Sequence, residues 1–312
     1  MIVDAHYHLH WGDSDPQDFF MGCARLGARR FSKNTPEPMD AKQLLEMQMP
    51  ILADRSGDKL VQLMDDSGIE KTLLLPLDYW YWFETSGRSK PYDMVKKNQI
   101  YVEAVNNHEG RLYSLFGMDP RRKNCVAAFE KAVSKWNMKG IKLHPTTRYY
   151  PDDPVCYPVY QKALELQVPV LFHSGNQPAP MAAKFSEPKY IDTVAADFPE
   201  LKIVVAHIGH GWWRQTLDFA SAKPNMYVDF SGWQGKYQEN PKHFAEVLRS
   251  AIDMLGPWRV LFGTDGALLN VIMPPPEWVK AIQNINSVSD TKFTDEELEI
   301  ILGKAAIHLF SL

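Results

Sequence analysis

Two histidines one residue apart, His6 and His8, close the first apolar run of the chain, Ile2-Val3-Asp4-Ala5. On an extended strand, residues i and i+2 lie on one face, roughly 6–7 Å apart at the backbone. Two imidazoles at that spacing can converge on one metal ion. The polar tail Trp11-Gly12-Asp13-Ser14-Asp15-Pro16 then ends the strand. The same punctuation recurs along the chain: His144 follows the apolar run 140–143, His173 follows 168–172, His207 follows 203–206, and Asp265 follows 260–264. Neutral imidazoles with one carboxylate are the ligand set of Zn²⁺ and similar first-row divalent ions. Such an ion lowers the pKa of a bound water from about 15.7 to roughly 7, and an unligated histidine nearby can move protons near neutral pH.

For these side chains to meet, the elements carrying them must be arranged so that strand ends share one mouth. Eight apolar runs qualify as strands: residues 1–5, 72–77, 112–118, 140–143, 168–172, 203–206, 226–230 and 260–262. Most are short and rich in β-branched or aromatic residues, which suits strands buried on both faces. Amphipathic helical stretches separate them, at 58–67, 93–108, 125–136, 157–166, 190–197, 214–222 and 241–255. The end of the chain reads as a capping box at Thr294 followed by an apolar helix over 298–310. Strands alternating with helices imply a parallel sheet with right-handed crossovers. Eight such units in 312 residues predict an α/β fold of the (β/α)8 TIM-barrel type, one domain over 1–312, with strand ends meeting at the catalytic face. No glycine-rich dinucleotide fingerprint follows the first strand, which argues against a Rossmann fold. Two connections are long, 9–57 after the first strand and 78–92 after the second. The second holds the aromatic run Tyr79-Trp80-Tyr81-Trp82-Phe83, a candidate substrate lining.

Composition removes other classes of function. The formal net charge is −4 and no Lys/Arg block appears, so nucleic acid is not an expected partner. No apolar run approaches the roughly 18 residues of a membrane span, and the first residues carry no signal-peptide pattern. Cys23, Cys125 and Cys156 are scattered without C-x-x-C spacing, which fits reduced thiols and a cytoplasmic location. The expected partner is a small-molecule substrate, with further copies of the chain as a possible homo-oligomer.

Taken in order, the motifs resemble the amidohydrolase superfamily, in its amidohydrolase-related branch. That branch includes aminocarboxymuconate-semialdehyde decarboxylase, γ-resorcylate decarboxylase, oxalomesaconate hydratase and pyrone-dicarboxylate lactonase. The resemblance runs from Asp4-Ala5-His6-Tyr7-His8 through Met118-Asp119-Pro120, Gly140-Ile141-Lys142-Leu143-His144-Pro145, Phe172-His173-Ser174-Gly175, Ala206-His207-Ile208-Gly209 and Phe262-Gly263-Thr264-Asp265 to the closing helix at 303–310. It implies one divalent ion, Zn²⁺ or else Mn²⁺, held by His6, His8, His173 and Asp265, with His207 and Asp265 moving protons. The implied activity is hydrolysis of a small, carboxylated substrate by metal-activated water. The alternative is non-oxidative decarboxylation of an aromatic or muconate-type acid. An alternative of another class is a metal-binding barrel without turnover, against which intact His207 and Asp265 argue.

Around this core, Lys142, His144, Arg148, Tyr79, Trp80 and His210 are candidate substrate contacts, and Arg121 a further carboxylate clamp. Lys142 stands where other branches of the superfamily carry a carboxylated lysine. His210 stands where the family usually has a glycine, and Gly266-Ala267 replaces the aromatic-proline pair that often follows the aspartate. His10, His108, His243 and His308 have no supporting context in the sequence.

Overall fold

A computed structural model describes all 312 residues. Its strands are β1 (Ile2–Tyr7), β2 (Ile69–Leu74), β3 (Leu112–Ser114), β4 (Phe116–Gly117), β5 (Ile141–Leu143), β6 (Val170–Phe172), β7 (Ile203–Val205), β8 (Met226–Asp229) and β9 (Val260–Leu261). Every neighbouring pair is parallel, in two runs, β1-β2-β3 and β4 through β9 in order. A break at Leu115 divides the single expected strand 112–118 into β3 and β4. The break is local, because Leu115 N still donates to Leu74 O (2.9 Å) and Phe116 N to Gly140 O (2.8 Å).

The two ends of the sheet meet through main-chain bonds. Ala5 N donates to Phe262 O (3.0 Å), Asp265 N to His6 O (2.8 Å) and His8 N to Gly266 O (2.7 Å). The Asp4 carboxylate fastens the same seam, accepting from Thr264 N (3.0 Å) and from Thr264 Oγ1 (2.5 Å). With the first strand bonded to the last, the array is a closed α/β barrel with no free edge.

Two apolar layers follow from strand alternation. Leu73, Leu115, Leu171, Val204, Ala206 and Leu261 pack with Val3 and Ala5 in an inner cluster. The closing helix Ala305–Phe310 joins that cluster through Ala305, Ala306, Leu309 and Phe310. Its burial there, and the bond from Phe262 N to Ile301 O (3.0 Å) in the turn before it, make this segment the floor of the barrel. The alternate strand residues, such as Ile141, Leu143, Val170, Phe172, Ile203, Val205 and Val228, pack outward on the surrounding helices. In β1 the register against β2 shifts between Asp4 and Tyr7. Val3 and Ala5 therefore belong to the inner layer, and yet His6 and His8 also reach the mouth. Such irregularities re-aim side chains next to functional sites.

The expected capping box is present: Thr294 Oγ1 accepts from Glu297 N (3.1 Å) and Glu297 Oε2 accepts from Thr294 N (2.8 Å). The long connections, by contrast, are not plain loops. Residues 9–57 contain the helices Gln17–Phe31 and Ala41–Leu52, which pack on each other, and Trp80–Thr85 is a short helix. The first presents Phe20, Ala24 and Ala28 at four-residue intervals, a stripe of mostly small residues that gives a weak apolar signal. No helix is long and apolar enough to cross a membrane.

Candidate metal centre

The barrel delivers His6 at the end of β1, His8 two residues on, and Asp265 just beyond β9. Their donor atoms converge: His6 Nε2 lies 3.6 Å and His8 Nε2 3.3 Å from Asp265 Oδ1, and the three donors all lie within 4.8 Å of one another. The main chain at Asp265 is left-handed (φ 52°), which turns the carboxylate back toward the seam. A second trio shares one member. His6, His207 and Asp229 also bring donor atoms within 4.8 Å of one another.

The tautomers suit a cation. His6 Nδ1 donates to Asp229 Oδ2 (2.9 Å) and His8 Nδ1 to Leu75 O (2.7 Å). Both acceptors take a proton from Nδ1, so each ring keeps its Nε2 lone pair facing Asp265. Ligating histidines are commonly oriented by a carboxylate or carbonyl in this way. The charges agree as well. Burial pushes His8 down to about 4, with Asp265 pulling the other way. Burial likewise holds His144, His173 and His207 well below the usual imidazole range. Burial opposes ionisation of Asp265, but positive charge at His207, His8 and His6 holds its carboxyl below the usual carboxylate range, and a cation among the uncharged rings would supply the same charge. Uncharged imidazoles around one ionised carboxylate fit a first-row divalent cation.

His173, at the end of β6, does not fall within either trio. Its Nδ1 stands 3.2 Å from His207 Nε2 and its ring stacks on His144 at 4.1 Å. His207 Nδ1 donates to Ser231 O (3.0 Å), so His207 Nε2 is the acceptor and His173 Nδ1 the donor. That leaves His173 Nε2 with its lone pair, 3.5 Å from Gln177 Nε2. His207 and His210 both adopt left-handed main-chain angles, and their rings stack at 4.7 Å. Glycine is required opposite them: a Cβ at Gly175 would lie 2.5 Å from His210 Nδ1, and one at Gly232 (φ 77°) 3.0 Å from His207 Nδ1.

The candidate substrate contacts divide. Lys142 Nζ donates to His6 Nε2 (3.2 Å), and burial lowers this lysine to about 8. His144 Nε2 meets Tyr79 Oη at 3.2 Å, and both side chains are buried beside His173. Lys142 thus touches the donor trio at His6, while His144 stacks on His173 and carries Tyr79, and His210 stacks on His207. Trp80 does not join them, because its ring stacks on Tyr92 at 4.5 Å and its Nε1 donates to Ser14 O. Arg121 is consumed by Asp119 (2.7 Å) and by the carbonyls of Thr147 and Arg148, so it is not free to clamp a substrate. Arg148 is exposed, its guanidinium 4.6 Å over the Trp82 ring.

Asp229 is the functional residue that sequence reading passed over. It ends β8 as the histidines end their strands, and that position was the available signal. Its Oδ2 accepts from His6 Nδ1, and its Oδ1 accepts from His207 N (3.0 Å), Ser231 N (3.1 Å) and Ser231 Oγ (2.5 Å). Burial alone would raise its pKa, but His6 and these donors hold it below the usual carboxylate range. Asp229→Asn keeps the shape and removes the charge that fixes the His6 tautomer. Metal affinity, measured by competition with a chromophoric chelator, is expected to fall roughly 10–100-fold, the usual cost of losing such a partner. Wild-type affinity in the variant would remove Asp229 from this role.

A family model described as amidohydrolase matches residues 3–312. No curated protein matches the chain. Among solved structures, the chain is similar to 5-carboxyvanillate decarboxylase from Novosphingobium aromaticivorans, a complex with manganese and 4-hydroxy-3-methoxy-5-nitrobenzoic acid. The identity is 15%, the match covers 100% of this chain and 96% of that one, and the TM-score is 0.71. A 2,6-dihydroxybenzoate decarboxylase in complex with 2,6-dihydroxybenzoate is 16% identical, with coverage of 100% and 99% and a TM-score of 0.66. An amidohydrolase from Burkholderia multivorans with bound zinc is 14% identical, with coverage of 100% and 99% and a TM-score of 0.69. At these identities the likeness to solved structures establishes the barrel, while the family model spans nearly every residue from the first strand to the closing helix. The chain belongs to the amidohydrolase family.

Proposed function

We propose that this protein is a divalent-metal-dependent carboxy-lyase that removes CO₂ from a small aromatic acid. The observation that carries the reading is the charge balance of the centre. Around His6, His8 and Asp265 stand further imidazoles, the Asp229 carboxylate on His6 Nδ1, and one buried lysine, Lys142, 3.2 Å from His6 Nε2. Asp265 and Asp229 together offset a divalent ion, and Lys142 leaves one positive charge in excess, so the chamber favours an anion over a neutral ester or amide. The similarity to two decarboxylases of carboxylated phenols supports the same class of substrate.

His6, His8 and Asp265 would hold the cation, with His173 Nε2 as a further donor. When bound, the cation supplies electrostatic stabilisation of negative charge on substrate oxygens. Lys142 steadies the carboxylate and the ring charge that builds up as the C–C bond breaks. The bond's electron pair stays on the ring carbon, CO₂ departs, and a proton must reach that carbon. Asp265 is ionised and His207 Nε2 unprotonated in the free site, so the proton must first come from the substrate. Asp265 would take it from the phenolic hydroxyl of the incoming acid and return it to the ring carbon, with His207 beside it. Burial keeps water from competing as the proton source. Hydrolysis is a second reading, favoured by the neutral state of His207, which suits a base that takes a proton from water.

The test is a panel assay of metal-loaded protein with hydroxybenzoic acids, methoxy-hydroxybenzoic acids, lactones, esters and amides. Release of one CO₂ per acid consumed, with no cleavage of the neutral compounds, is the expected result. Cleavage of lactones or esters without CO₂ from any acid would return the enzyme to the hydrolases.

A further inference from the structure

We propose that His10 is a ligand-recognising residue of this chamber, accepting a hydrogen bond at Nε2 from a hydroxyl group of the bound molecule. The inference rests on reading the His6, His8 and Asp265 cluster as the place where substrate binds, and not on which reaction follows.

His10 is the third histidine in the alternating series His6, His8, His10. It is 1% exposed, and its ring centre lies 6.3 Å from that of His8. Its main chain is pinned by a bridge to Ala53 and by Asp54 N donating to His10 O (2.8 Å). The ring is pinned too. Nδ1 meets Asp15 Oδ2 at 3.0 Å, the same oxygen accepts from Ser14 Oγ (2.8 Å), and Asp15 Oδ1 accepts from Lys97 Nζ (2.8 Å). Lys97 is completed by the carbonyls of Ser14 (2.6 Å) and Leu77 (2.8 Å). Asp15 and Lys97 are as buried as His10.

An ionised carboxylate only accepts, so His10 Nδ1 carries a proton. Lys97 already balances the Asp15 charge, so a second proton at the unpartnered Nε2 would leave a net buried charge, and Nε2 is read as carrying a lone pair. That Nε2 is fully buried and has no partner in the protein. Phe20, on the helix Gln17–Phe31, meets the ring edge-on at 5.4 Å. Packing alone does not account for this arrangement. An apolar side chain of similar shape would avoid both the orphaned nitrogen and the cost of burying an ion pair to orient it. A carboxylate and a lysine spent on fixing one tautomer make sense if the opposite nitrogen meets a donor. A neutral acceptor beside a cation-holding chamber suits a phenolic or alcoholic O–H, not a second carboxylate.

The experiment uses Zn²⁺-loaded protein labelled with ¹⁵N-histidine, with the His10 signals identified by their absence in His10→Gln. Phenol and 2,6-dihydroxybenzoate at saturation are expected to move His10 Nε2 upfield, and 2,6-dimethoxybenzoate to leave it in place. In calorimetry, His10→Phe is expected to weaken 2,6-dihydroxybenzoate roughly tenfold, the upper end for one neutral hydrogen bond, with dimethoxybenzoate unchanged and His10→Gln restoring part of the loss. If no hydroxyl probe moves Nε2, or the dimethoxy compound moves it equally, the inference is overturned. Should His10→Phe fail to fold, the resonance on unsubstituted protein still decides. Movement of Nε2 without CO₂ release supports the inference while the carboxy-lyase reading falls. CO₂ release with Nε2 unmoved overturns the inference alone.

Discussion

His207→Ala is expected to lower turnover by roughly 10²–10⁴-fold, the range for losing a general acid or base, while the protein keeps its metal. The imidazole is fixed from three sides. Nδ1 donates to Ser231 O, Trp233 Nε1 donates to His207 O (2.7 Å), and the left-handed main chain at 60° sets the direction of the ring. Its Nε2 accepts from His173 Nδ1 at 3.2 Å, so it stands beside the centre in proton-accepting form. Steady-state rates and elemental analysis on the same preparation check the result. Loss of metal together with activity would overturn this and make His207 a ligand in the trio with His6 and Asp229.

The second large effect is loss of the ion itself. His6 belongs to both possible trios, so His6→Ala should take metal content from about one ion per chain to none whichever trio holds it. His8→Ala and Asp265→Ala should do the same only if the ion sits between His6, His8 and Asp265. Affinity should fall by more than the roughly 100-fold that bounds the loss of an orienting partner. His173→Ala, measured alongside, reports whether His173 Nε2 completes the set. Metal retained at the unsubstituted level in both His6→Ala and His8→Ala would refute the assignment. Two ions per chain would instead give Lys142 a role as a carboxylated bridging ligand.

Much of the scaffold could be read before any coordinates, because each strand is a short apolar run and each run stops at a polar residue. His6, His8, His144, His173, His207 and Asp265 stand at those stops, so parallel closure alone gathers them. What could not be read depends on side chains meeting from distant parts of the chain. Asp229 becomes visible only when β8 lies beside β1. Arg121 looked free until Asp119 and two carbonyls filled its donors, and Trp80 until Tyr92 stacked on it. His10 had no context because Asp15 gains its meaning from Lys97, 82 positions away. The helix Gln17–Phe31 escaped notice because alanines on its packed face carry little apolar contrast.

The seam between first and last strands has a consequence for assembly. Asp4 and Thr264 are 260 positions apart, and His6 and Asp265 face each other across the same join. An amino-terminal fragment leaving the ribosome carries His6 and His8 without their carboxylate. Contacts of this separation carry the largest chain-closure entropy and form late. The complete donor set is thus a property of the finished polypeptide alone. A cation seated there acts as a buckle, adding about 2.7 kcal/mol to folded stability at 100 times its dissociation constant. That reinforcement falls on the join that has the least local chain to hold it shut.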